Sequence, residues 1–143
     1  MENFLNKKKY FSISINILKS QHLVCSIKLN NKKGLFIIDT GASNSCIDKE
    51  KINFFKLIKN DSEIEVSSAG KEKLKVTPTK KSVFNFKNNK SLELSLMLLD
   101  MNSINSSLLD QNGQTVDGIL GADFLLKSNS IIDYKTKKIF LKL

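Results

Sequence analysis

The sequence predicts a mostly β fold, a closed or sandwich-like sheet with one or two short helices. Apolar residues recur at every second position in many short segments, the period of half-buried strands. Polar turns rich in Asn, Lys and Gly separate those segments. One run, Leu35 to Ile38, is continuously apolar, as a strand covered on both faces would be. With 143 residues and 41% apolar content, residues 1–143 are expected to form a single soluble domain with one core.

Residues 1–9 are basic and are expected as a flexible or edge segment. FSISINI then places Phe11, Ile13, Ile15 and Ile17 on one face of a strand, and HLVCSIKL follows. NNKKG, ending at Gly34, suits a hairpin turn into GLFIID. Asp48 stands where it would cap a short helix through KEKINFFKLI, with Ile52, Phe55 and Ile58 on the inner face. SEIEV, EKLKV, SVFNF, SLELSLMLL, SIIDY and KIFLKL continue the strand pattern, with Met97 and Met101 as core residues. Gly113 falls in a polar loop, NSSLLDQNGQ, and GADFLLKS reads as a second short helix.

Composition excludes several functions. The net charge of +9 rests on 23 basic residues, all of them lysine. Without arginine, the side chain best suited to bidentate phosphate and guanine contacts is missing, so no nucleic-acid partner is expected. No apolar run has the length of a signal-peptide core or a membrane span, so the expected setting is cytoplasmic, with no membrane partner. Cys25 and Cys46 are too few for a disulfide framework and have no metal-ligand spacing; both are expected reduced and at least partly buried. His22 lies three residues from Cys25 in a strand, on the opposite face, which leaves no Cys–His pair.

The chemistry concentrates in GLFIIDTGASNSCI. Asp39 ends the buried run, and a carboxylate there must be hydrogen-bonded, solvated in a cleft or neutralised, because desolvating an isolated ion is costly. Thr40 supplies a hydroxyl, Gly41 permits a tight backbone close to the carboxylate, and Ala42 leaves space beside it. Such a turn displays the aspartate. An isolated Asp-Thr-Gly is better explained as an ordinary strand-end turn; a second piece, VDGILGADFL from Val116 to Leu125, with its Ile-Leu-Gly, reverses that.

Together IIDTGAS, VDGILGADFL and the ending IIDYKTKKIFLKL resemble, in order and separation, the single-domain retropepsin-like aspartic proteases of retroviruses and bacteria. The resemblance spans Phe11 to Leu143, and its closing hairpin is similar to that of bacterial members. It implies Asp39 as the catalytic carboxylate, Thr40 in a hydrogen-bond lattice between paired loops, and Gly41 on the cleft floor. Ile119, Leu120 and Gly121 would cross behind the Asp39 loop and support it. Ser68, Ala69 and Gly70, in SSAGKEK, would form the tip of a flap that contacts substrate together with Ala42.

The implied reaction is attack of water on an internal peptide carbonyl, without metal or organic cofactor. It needs two carboxylates sharing one proton, the arrangement of the aspartic-protease dyad. Asp117 lacks the Thr-Gly sequel and Asp123 reads as a first-turn helix residue, so the resemblance implies a symmetric homodimer whose two Asp39 residues meet on the twofold axis. The FSISINI and KIFLKL strands are candidates to interleave with the partner's. Substrate would be a peptide or protein segment bound as an extended strand. Ala42, where pepsin-like relatives carry serine, implies an activity optimum nearer neutrality. The alternative is a retropepsin-fold module that binds peptides or partners with little or no cleavage.

Overall fold

The computed structural model describes residues 1–61, 64–67 and 73–143, with the side chains of 1–61 and 76–143. A short helix, α1 (Glu2–Lys7), precedes β1 (Phe11–Ser14), β2 (Asn16–Ile17), β3 (Leu23–Leu29), β4 (Lys32–Ile38) and β5 (Cys46–Asp48). Then come β6 (Ile64–Ser67), β7 (Lys73–Pro78), β8 (Ser82–Asn85), β9 (Ser91–Leu94) and β10 (Met97–Leu99). The chain ends with α2 (Asn102–Asn112), β11 (Gly118–Leu120), α3 (Ala122–Lys127), β12 (Ile131–Asp133) and β13 (Lys138–Leu141). The mostly β class is as expected. The large mixed sheet runs β6-β7-β10-β5-β11-β4-β3-β8-β9, with β2 also on β3, and a separate sheet runs β1-β13-β12. Among the described residues the large sheet is therefore an open path from β6 to β9.

The β3–β4 hairpin anchors this arrangement. Asn30 and Asn31 both take positive φ (47° and 65°), the conformation of a two-residue turn whose twist matches the strands, and asparagine tolerates it well. Leu29 pairs with Lys32, and the register continues to Leu23 against Ile38. Gly34 thus lies inside β4, not at the turn. A Cβ on it would come 2.7 Å from the Phe36 ring and 3.1 Å from that of Phe55, so glycine is needed here for ring packing.

The continuous apolar run of β4 is explained by two cores. Phe36 and Ile38 enter the main cluster with Leu29, Ile47, Phe84, Phe124 and Leu141. Ile37, with Leu35 beside it, packs on the other face against Val24, Met101, Leu108 and Val116. Successive strand side chains point to opposite faces, so a strand between two cores must be apolar at every position.

Three local expectations are corrected. Residues 2–7 are helical, with Leu5 buried, where a flexible or edge segment was expected. The polar stretch before Gly113 is helix α2, closed by Gly113 in the left-handed conformation (φ 70°) with its N–H donating to the Leu109 carbonyl. The helix expected after Asp48 is a single 3-10 turn, Lys49–Lys51, and a short continuation. Lys56 ends it at φ 53°, the Lys56 N–H donates to Asn53 and the Leu57 N–H to Ile52, a Schellman closure with lysine in the glycine position. Phe55 is buried as expected, but the reversal leaves Ile58 exposed. The terminal strands pair with each other within the chain, Phe11 with Leu141 and Ser14 with Lys138.

Candidate active site

β4 and β5 flank the Asp39 loop in sequence, yet they are not neighbours in the sheet. β11 lies between them, parallel to β4 and antiparallel to β5. The loop must therefore arch over the end of β11, where Gly121 sits. A Cβ on Gly121 would fall 2.6 Å from the Ala42 carbonyl oxygen and 3.0 Å from Asn44; only glycine lets the loop come this close. Gly118, at the other end of β11, is equally constrained, its would-be Cβ running into the Cys46 carbonyl oxygen.

Hydrogen bonds fasten the arch at both ends. The Asp39 N–H donates to the Leu120 carbonyl (3.0 Å), the Ala122 N–H to the Ala42 carbonyl (2.7 Å) and the Asp123 N–H to that of Ser43 (3.3 Å). Ser45 is fully buried. Its N–H (2.9 Å) and its hydroxyl (2.6 Å) donate to Asp123 Oδ1, while its Oγ accepts from the Gly121 N–H (2.9 Å). Buried polar networks of this kind, with every member satisfied, fix one conformation.

At the top of the arch Asp39, Thr40 and Gly41 are exposed and Ala42 is half-buried. Asp39 Oδ1 accepts from the Gly41 N–H at 2.9 Å, and the Asp39 carbonyl accepts from the Ala42 N–H at 3.2 Å. The carboxylate is thus oriented by its own turn and open to solvent. Among the described residues no lysine lies within ion-pair distance of it, although the chain is strongly basic.

The other two carboxylates of this region are spent on the framework. Asp117 Oδ2 accepts from the Leu35 N–H (2.8 Å) and its Oδ1 faces Lys51 Nζ at 3.6 Å. Asp123 accepts from Ser45 and from the Phe124 N–H (2.7 Å). Cys46, the first residue of β5, reports on the neighbourhood: burial, then the charges of Asp123 and Asp39, push its thiol up to about 11. Cys25, buried in β3, is raised to about 12 by burial alone. Both cysteines are free.

Of the residues singled out from sequence, the structure gathers Asp39, Thr40, Gly41 and Ala42 on the arch, with Leu120 and Gly121 bonded beneath it and Ile119 packed in the smaller core. Ser68, Ala69 and Gly70 lie outside the described residues. His22 is exposed, its ring nitrogen 2.7 Å from Ser20 Oγ. The sequence reading missed Ser45. Its signal was a small hydroxyl six residues after Asp39, matched by an acid two residues after Gly121.

A family model described as aspartyl protease matches residues 25–124, which include the whole arch and β11. The chain belongs to the aspartyl protease family. This member of the family has a retropepsin-like fold: a retropepsin-like aspartic protease from Rickettsia conorii superposes with a TM-score of 0.57 at 18% identity, covering 92% of this chain and 89% of that one. The retroviral protease-like domain of Ddi1 from Leishmania major gives the same TM-score at 16% identity, over 84% and 87% of the two chains. No curated protein sequence matches the chain. No helix among the described residues is long and apolar enough to cross a membrane, and among the same residues no group of His, Cys, Asp and Glu could hold a metal ion.

Proposed function

We propose that this aspartyl protease is an endopeptidase completed by homodimerisation, with one Asp39 from each protomer sharing the catalytic proton. One observation carries the reading: Asp39 is held, exposed and unpaired with any described lysine, while Asp117 and Asp123 are consumed by backbone donors. Among the described residues one chain therefore offers one free carboxylate at this site, and the chemistry requires two. In the dimer, the ionised Asp39 takes a proton from water while the protonated one donates to the scissile carbonyl oxygen. The water oxygen bonds to the carbonyl carbon, and proton return to the amide nitrogen lets the C–N bond break.

The substrate is a peptide or protein segment bound as an extended strand across Thr40, Gly41 and Ala42. Ser68, Ala69 and Gly70 would close over it. No cofactor enters this scheme, and the free thiols of Cys25 and Cys46 suit a reducing, cytoplasmic setting. Residues 1–143 would act as one domain.

Subunit mixing tests the proposal. Asp39→Asn protein is added in excess to wild type, and cleavage of a mixed peptide library is followed together with sedimentation. Activity should fall as mixed dimers form, and Asp39→Asn alone should be inactive. Cleavage that survives Asp39→Asn, or full activity from a species that sediments as a monomer, would refute it. Saturable peptide binding without turnover would favour the binding-module alternative.

A further inference from the structure

β1 and β2 are one strand bent at Ile15, and the bend opens a wedge. β2 pairs with β3 at Leu23 and Val24, whereas β1 swings away to pair with β13. Beyond the gap, β8 takes the edge of β3 again at Lys28 and Leu29. The space between is a groove of about 750 Å³ whose walls include Phe11 to Ser14, Ser26 to Lys28, and the β8–β9 turn.

The backbone directions follow from neighbouring bonds. The Ile15 N–H donates to Lys137, so in β1 Phe11 and Ile13 face β13, and the N–H and C=O groups of Ser12 and Ser14 face the wedge. In β3 the His22 carbonyl accepts from Leu18 and the Asn30 N–H donates to Val83, so even-numbered residues face away from β4. Val24 and Lys28 have strands opposite them; Ser26, between them, has none. Ser12 and Ser14 on the edge of β1 thus face Ser26 of β3 across the groove with their peptide groups aimed inward. β1 carries none of the lysines or prolines that usually guard an unpaired edge.

The walls also carry a charge pattern. Lys28, Lys87 and Lys90 line the groove, and among the described residues no Asp or Glu does. Lys90 Nζ lies 5.0 Å from the Phe11 ring centroid, and Phe11 packs on Phe86 with centroids 5.3 Å apart. Lys28 pairs with Lys33, six residues before Asp39, so the basic end of the wedge is roughly 20 Å from Asp39 along the strand.

We propose that this wedge is a second peptide-binding site, which takes an extended acidic segment of a partner protein as an added strand between β1 and β3. Main-chain bonds to Ser12, Ser14 and Ser26 hold the segment, and its carboxylates reach Lys28, Lys87 and Lys90. The site does not depend on the proteolytic reading, because none of its residues belongs to the Asp39 arch.

The test uses Asp39→Asn protein, so that no probe is cleaved, and fluorescence anisotropy of a labelled eight-residue peptide alternating Glu and Thr. Saturable binding is expected, weakened at least tenfold by Lys28→Gln/Lys87→Gln/Lys90→Gln and by replacing the peptide's Glu with Gln. Ser12→Pro, which removes an inward N–H from an edge strand, should weaken it similarly with an unchanged melting temperature. A peptide N-methylated at alternate residues should not bind, and this arm stands even where Ser12→Pro fails to fold. Equal binding of the N-methylated peptide, or equally tight binding of a thymidine oligonucleotide of the same charge, would reduce the site to a lysine-rich surface and overturn the proposal. So would the absence of saturation at millimolar peptide, or binding indifferent to the three lysines.

Discussion

Asp123 and Gly121 shape the Asp39 loop from beneath, without lying on its exposed face. Gly121→Ala forces a methyl into the Ala42 carbonyl, so the arch must lift; the expected cost is about 1–3 kcal/mol of stability in urea titration, with activity lost alongside. Ala42→Ser tests the loop's electrostatics. The Ala42 N–H already folds back on the Asp39 carbonyl, and a hydroxyl at that position would stabilise the ionised carboxylate. The acid limb of the pH–activity profile should therefore move to lower pH; an unmoved or alkaline-shifted limb would contradict the placement. At this scale the sequence was readable where chemistry is compact: Asp39, Thr40, Gly41 and Gly121 declare themselves by type and spacing. Ser45 did not, because its importance comes from Asp123, which reaches it from 78 residues away.

Elements were legible when their apolar period matched their own strand or helix, and illegible when other parts of the molecule hold them. β3, β4 and α3 are of the first kind. Helix α2 is of the second: its Asn and Ser residues have weak helical propensity. What holds it is the left-handed Gly113, the bonds of Asn112 to Ser20, and Asn105, whose amide both donates to and accepts from the backbone of Val116. The stretch after Asp48 errs the other way, since its apolar spacing suits a helix but the left-handed Lys56 ends it. A lysine in that conformation carries strain that glycine does not. Lys56→Gly should raise stability by about 1 kcal/mol, read as a higher denaturation midpoint with an unchanged slope.

For the whole molecule, the buried thiol of Cys25 and the partly buried one of Cys46 set a limit on alkaline stability. Folding raises Cys25 from 9.0 to about 12 and Cys46 from 9.0 to about 11. A raised acid is protonated in the native state while the unfolded chain has begun to ionise, so its contribution is complete below pH 9 and is lost above it. Each thiol should cost about 1.4 kcal/mol per pH unit between pH 9 and 11. Urea unfolding of wild type and Cys25→Ala across that range should differ in slope by one such increment; parallel curves would mean that Cys25 is not sealed in the core. The insertion of β11 between β4 and β5 bears on something else, the order of events during synthesis. The segment that gives the Asp39 arch its shape is translated long after the arch itself, so a nascent chain can have its hairpin while its acidic loop is still shapeless. The final shape of that loop then has to await Gly118–Leu120, far along the chain, a built-in delay between the appearance of the acidic residue and its fixing in place.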